Sequence, residues 1–313
     1  MYFKQFKEEL QNRLLAEAES KLDGTIEFAE MMKNGRIQNG IIYRPAGSRI
    51  GITTYVEKCY EAYQEGYPME KIVEDYVPAM INHSQDVEVD YDRLVNALVP
   101  ENIVPALIPR KGNEEMLETV PHVPFQNLEV IFKFNIPEFF GGGMANVSGQ
   151  FSEQFGFDAE ELLDIAMNNM KGQTVVTPLP EILYGSGKSD TDWDSLKNGE
   201  KTMLVLSNRS NFHGAASILD KEIMIKIVDV FEEDVYILPS SIHECIVVPQ
   251  SMGPAEDLQK MVKSANQDVV APEDWLSDDI YVFDSRTQEI TLVDEVPEKS
   301  EQQMHTVPSP SVR

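Results

Sequence analysis

Ser240, Ser241, His243 and Glu244 gather nucleophile, base and acid side chains within five positions, the set from which a hydrolase builds an activated hydroxyl. Along an extended strand Ser241 and His243 would share a face with their Cα atoms roughly 6–7 Å apart. A nucleophile–base hydrogen bond needs ~2.6–3.2 Å, so the chain would have to bend to bring them together. No GxSxG elbow accompanies them, since Ser148 stands in Ala145-Asn146-Val147-Ser148-Gly149. The first reading of 239–244 is therefore a structural turn and the second a ligand or partner site. Catalysis comes third, with Ser241 or Cys245 activated by His243 or His122 and a distant carboxylate as orienter. A second cluster, Asn208 to Ala216, holds Asn208 and His213. Its polar side chains can bond local backbone, and Gly214 with two alanines permits close packing, so a connection between strands is its first reading.

Other chemical patterns fail on spacing. His243-Glu244 opens like HExxH, but Val247 stands where the second metal-binding histidine belongs. Gly185-Ser186-Gly187-Lys188-Ser189 ends like a phosphate-cradling loop. However, Ile182 replaces the required earlier glycine, and Asp190, Asp192 and Asp194 bring negative charge to where phosphates would sit. Cys59 and Cys245 lie far apart and form no CxxC, so no disulfide framework or cysteine zinc site is legible. No metal or cofactor is expected from these motifs.

The elements that must position these residues follow from periodicity. Phe3, Phe6, Leu10, Leu14, Ala18 and Leu22 recur at helical spacing, predicting an amphipathic helix over 2–22. Asn34-Gly35 suits the positive φ angles of a tight hairpin turn, with a third strand over 50–56 and helices over 56–65 and from Pro68, whose stripe includes Tyr76, Val77 and Met80. Further on come a helix over 91–98, strands near 104–108 and 128–135, and a short helix capped by Asn113. Asp158 and Glu161 have capping-box spacing for a helix to Met170. The last third predicts strands over 202–206 and 215–219, a helix capped by Asp220, strands over 235–238 and 245–248, a helix over 254–265 and a hairpin over 280–292. The order β-β-α-β-β-α-β-β argues for an α+β fold, with mixed or antiparallel sheets and helices packed on one face. The regions are 1–110, an N-terminal α/β region; 111–200, a middle region with a polar connection over 181–200; 201–293, the C-terminal α+β region; and 294–313, a disordered tail rich in Glu, Lys, Ser, Gln and Pro.

With 26 basic and 53 acidic residues in 313, the net charge is −27, and repulsion from phosphates makes nucleic acid and anionic membrane poor partners. Thirteen acids and five bases fall in 251–313, so most of the excess belongs to the preceding 250 residues. The N-terminal 20 residues lack an apolar export core, and no apolar run reaches ~18 residues, which points to the cytoplasm.

The combination of Met203-Leu204-Val205-Leu206-Ser207-Asn208, Gly214-Ala215-Ala216 and Tyr236 to Glu244 resembles an uncharacterised bacterial family known only as a domain of unknown function. Val120-Pro121-His122-Val123-Pro124-Phe125, the hairpin and tyrosine-rich helix of 26–65, and Val270-Ala271-Pro272-Glu273 are similar to it as well. The resemblance spans about residues 1–290. It implies a cytoplasmic accessory protein of anaerobic gut bacteria, encoded beside mobile elements, and it supplies no catalytic residues. Its pattern varies at the residue before Gly214, which weighs against a fixed role for His213. The leading expectation is a non-enzymatic binding or regulatory protein whose protein or small-molecule partner meets Ser240, Ser241, His243, Glu244, Asn208 and His213. A hydrolase and a homo-oligomeric scaffold are the alternatives.

Overall fold

The computed structural model describes residues 1–21, 23–47, 51–75, 91–136, 143–185 and 192–293. Helix α1 (Phe3–Lys21) buries Phe6, Leu10 and Leu14, as its periodicity predicts, against a hairpin of β1 (Gly24–Lys33) and β2 (Arg36–Pro45). Lys33 pairs with Arg36 across a two-residue turn in which Asn34 and Gly35 take φ of 47° and 77°. Such a turn follows the strands' own twist. β3 (Ile52–Tyr55) completes this sheet, and α2 (Val56–Gln64) and a helical stretch over 69–75 close its core around Ile41, Tyr43 and Val56. The expected apolar positions Tyr76, Val77 and Met80 lie outside the described residues, as do the 294–313 tail and most of the Gly185–Ser189 motif.

After α3 (Tyr91–Ala97), a second sheet is built around β6 (Leu128–Ile136), paired along one side with β4 (Ile103–Pro109) and along the other with β5 (His122–Phe125) and β7 (Gly143–Asn146). The short helix α4 (Glu114–Leu117) follows Asn113. Asn113 does not cap it as expected: its side chain donates to Pro109 O at 2.8 Å. β5 and β7 escape the sequence pattern because each has only four residues, too few to display alternation.

α5 (Gly149–Phe155) precedes α6 (Ala159–Met170), which starts at the predicted Asp158–Glu161 capping box. The third sheet has six strands in the order β13-β12-β10-β11-β9-β8. They are β8 (Thr174–Pro178), β9 (Leu204–Asn208), β10 (Val235–Ser241), β11 (Glu244–Pro249), β12 (Tyr281–Asp284) and β13 (Glu289–Leu292). The stretch between β8 and β9 carries the helices α7 (Leu179–Tyr184) and α8 (Trp193–Asn198). Every strand pairing among the described residues is antiparallel, and the class is α+β.

Alternation along β10 sends Val235 and Ile237 into the main core, shared with the apolar face of β6 and with α9 (Lys221–Phe231). Leu238 turns the opposite way, toward Leu258 and Val262 of α10 (Ala255–Asp268), so this sheet carries a helix on each face and not on one. The expected strand over 215–219 is instead a 3-10 helix, Gly214–Leu219, threaded beneath β9 and β11. A short apolar run does not distinguish the two states. Here His213, at φ 53°, turns the chain out of the sheet.

Candidate functional site

The β10–β11 turn is held by hydrogen bonds from every side. Ile242 N–H donates to Asp274 O at 2.8 Å, Ala215 N–H to Ile242 O at 3.2 Å, and Ser207 Oγ to His243 O at 2.8 Å. Ser241 Oγ accepts from the His243 N–H at 3.1 Å, so its hydroxyl serves the turn. The close approach of the 3-10 helix explains Gly214: a Cβ there would lie 2.3 Å from Ser207 Oγ and 2.6 Å from His243 O. Asn208 organises the neighbouring loop, its Oδ1 accepting from Phe212 N–H at 3.2 Å and from Ser210 Oγ at 2.9 Å, while its Nδ2 donates to Phe212 O at 2.8 Å.

The two histidines meet. His213 N–H donates to His243 Nδ1 at 3.2 Å, which leaves the proton of the neutral ring on Nε2, facing Asp274 Oδ1 at 3.2 Å. Both ring nitrogens of His243 are thus engaged, and neither is free to take a proton from a nucleophile. Phe212 lies 5.1 Å from each imidazole, ring centre to ring centre. Cys245 is fully buried, and burial pushes its thiol pKa up, which disfavours the nucleophilic thiolate. His122 sits on β5 with Nδ1 3.0 Å from Val120 O. Among the described residues no serine or cysteine is hydrogen-bonded to a histidine ring, and no three metal-type side chains cluster.

What the turn does border is a cavity of about 200 Å³. The tip of the β1–β2 hairpin contributes Lys33 and Asn34, β6 contributes Lys133, and His213, His243 and Asp274 complete the wall. His213 and Asn208 also line a smaller cavity of about 40 Å³, where the buried atoms Asn135 Oδ1, Ser217 Oγ and His213 Nδ1 have no hydrogen-bond partner among the described residues. Ser240, Ser241 and Glu244 line neither cavity. The geometry thus collects His213 and His243 in one place and leaves the serines and the glutamate outside it.

Lys133 went unnoticed in the sequence, although a lysine amid Ile131, Phe132 and Phe134 in a buried strand is itself a signal. It opposes Asn146 in the β6–β7 register and donates to Asn146 Oδ1 at 2.7 Å. Burial, with the like charge of Lys33 second, pushes its pKa down to about 8. His213 is only 9% exposed, and burial first, then the charge of Lys133, hold its pKa well below the ordinary histidine value. Glu273 and Asp274 line the same cavity, Asp274 being engaged by His243.

The hairpin is docked at this wall by specific contacts. Asn34 Nδ2 donates to Glu273 O at 2.9 Å and Trp275 O at 2.7 Å. Gly35 meets Gly112 so closely that a Cβ on Gly112 would lie 2.9 Å from the Gly35 Cα. Among the described residues no helix is long and apolar enough to cross a membrane. No curated protein and no solved structure matches the chain. A family model does, over residues 3–285 and so across all three sheets: the chain belongs to a family of unknown function, DUF5688.

Proposed function

We propose that this is a non-enzymatic binding protein whose ligand is a small anion received in the cavity between the hairpin tip, β6 and the β10–β11 turn. The observation that carries this is that Lys33 and Lys133 line one cavity, the charge of Lys33 acting on Lys133, in a chain of net charge −27. Like charges that act on one another cost free energy, and an anion between them relieves that cost. A cavity of about 200 Å³ falls below the ~300–1,000 Å³ usual for drug-sized ligands, so a compact acid suits it better than a nucleotide. Nucleic acid and membrane are not partners in this reading, because the outer surface repels both. Two buried free cysteines suit a reducing cytoplasm, and the sequence resemblance favours a bacterial accessory role beside mobile elements.

Titration calorimetry with lactate, acetate and inorganic phosphate tests the proposal. At least one should bind, and Lys133→Met should weaken it about tenfold or more, the loss of one charge-assisted hydrogen bond. Binding unchanged in Lys133→Met and Lys33→Met would place the anion elsewhere, and no binding by any of the three would remove the proposal.

A further inference from the structure

We propose that Lys133 is an amine nucleophile that captures a small 2-oxo acid in this cavity as a Schiff base. The inference rests on the anion-site reading and narrows its ligand class. Lys133 Nζ has what imine formation requires. It is held in place by one neutral acceptor, Asn146 Oδ1 at 2.7 Å, and none of the hydrogen bonds or ion pairs among the described residues ties it to a carboxylate. It lines the cavity of about 200 Å³, and a second cation, Lys33, lines the same cavity to take the acid's carboxylate. A fixed carboxylate partner would keep the amine protonated. The charge acting on Lys133 is that of Lys33, of the same sign, and with burial it brings the pKa to about 8, so an appreciable neutral fraction exists near neutrality.

The neutral Nζ lone pair attacks the ketone carbon. The new C–N bond forms as the carbonyl π pair moves to oxygen, which takes up a proton. Nitrogen releases a proton to give the neutral carbinolamine, whose oxygen takes up a second proton. The nitrogen lone pair then forms the C=N bond as the C–O bond breaks and water leaves, giving the protonated imine. Loss of the second nitrogen proton gives the neutral imine, so oxygen gains the two protons that nitrogen gives up, and nothing is oxidised or reduced. The proton transfers need a neutral base in the same cavity, and His213 lines it, held neutral by its burial. Capture is reversible, as a receptor for a metabolite of this class requires.

The test incubates the full chain with pyruvate and borohydride, which freezes the imine as a stable secondary amine, and maps the adduct by peptide mass. L-Lactate, which keeps the carboxylate and lacks the carbonyl, is titrated in parallel. A single adduct at Lys133, reduced at least tenfold in a folded Lys133→Arg variant and rising with pH with a midpoint near 8, is the expected result. Adducts spread over surface lysines, or equal labelling in Lys133→Arg, overturn it. Lactate bound with no pyruvate trapped overturns the Schiff base and leaves the anion site standing. If pyruvate is not trapped and none of lactate, acetate and phosphate binds, both fall.

Discussion

Replacing Lys133 by methionine should stabilise the protein at neutral pH, contrary to the usual effect of altering a buried position. The ammonium group sits where burial and the Lys33 charge move its pKa from about 10.5 to about 8. At ~1.4 kcal/mol per tenfold change in proton affinity, that displacement corresponds to about 3 kcal/mol against the charged form at pH 7. Solvent reaching the half-buried side chain screens part of this, and methionine forfeits the hydrogen bond to Asn146, worth about 1 kcal/mol. A net gain of about 1–2 kcal/mol for Lys133→Met at pH 7 follows. The gain shrinks as pH rises. Between about 8 and 10.5 the unfolded chain still holds this proton while the folded chain has released it, so wild-type stability rises through that window relative to the variant. By pH 10.5 the variant's advantage should be gone. Urea denaturation of both proteins at pH 7 and 10.5, with unchanged m-values, measures the difference at each pH. A variant less stable at pH 7, or a difference independent of pH, would refute the assignment of a strained ammonium at this wall.

His213 supplies an acid-side counterpart. Its folded pKa lies well below its unfolded one, so stability is lost as pH falls below about 6.5, with a slope approaching ~1.4 kcal/mol per pH unit. His213→Asn, which tolerates the φ of 53°, should flatten that slope in urea midpoints taken from pH 7 to 5. Gly214→Ala should cost about 3 kcal/mol, because its Cβ would meet Ser207 Oγ and His243 O, and thermal unfolding would report it as a Tm lowered by several degrees. Arg110→Met should cost about 3 kcal/mol by stranding Glu129, which is 2% exposed and ion-paired with the Arg110 guanidinium. Denaturation that shows no loss would mean that the Arg110 guanidinium does not hold Glu129 in the folded protein.

Elements with strong local codes were legible without coordinates. Helix α1, the Asn34-Gly35 turn, the Asp158–Glu161 capping box and the Asp220 cap each rest on residues within one turn of one another. The Gly214–Leu219 segment was not, because what makes it a 3-10 helix is the proximity of Ser207 and the His243 carbonyl, which the chain order does not reveal. The site divides the same way. His213 and His243 could be singled out as chemistry-bearing residues, but their contact depends on 30 intervening residues folding back through α9 and β10. Ser241, which the sequence places first in a structural turn, accepts from the backbone N–H of His243 two residues on, a contact that local spacing makes legible. Lys133 and Lys33 come from different sheets, one hundred residues apart, so no local pattern could join them.

Evolution rarely retains an unpaired buried charge for stability alone, since a hydrophobic residue of similar volume would serve better. The wall around Lys133 departs from good packing practice in several ways together. It sets a lysine in the field of a second cation, leaves His213 Nδ1 without a hydrogen-bond partner among the described residues, and holds His213 in a left-handed backbone conformation. Such costs gathered at one concave place are what a site kept for binding looks like. The hairpin tip adds a condition: Lys33 and Asn34 reach the cavity only while Gly35 rests on Gly112 and Asn34 holds the carbonyls of Glu273 and Trp275. Two cations on opposite sides of that contact repel each other and work against docking, whereas an anion between them favours it. Ligand affinity and closure of the N-terminal sheet onto the body are therefore linked through the same two lysines, and any ligand that bridges them must tighten the contact between Gly35 and Gly112 by the free energy it gains from doing so.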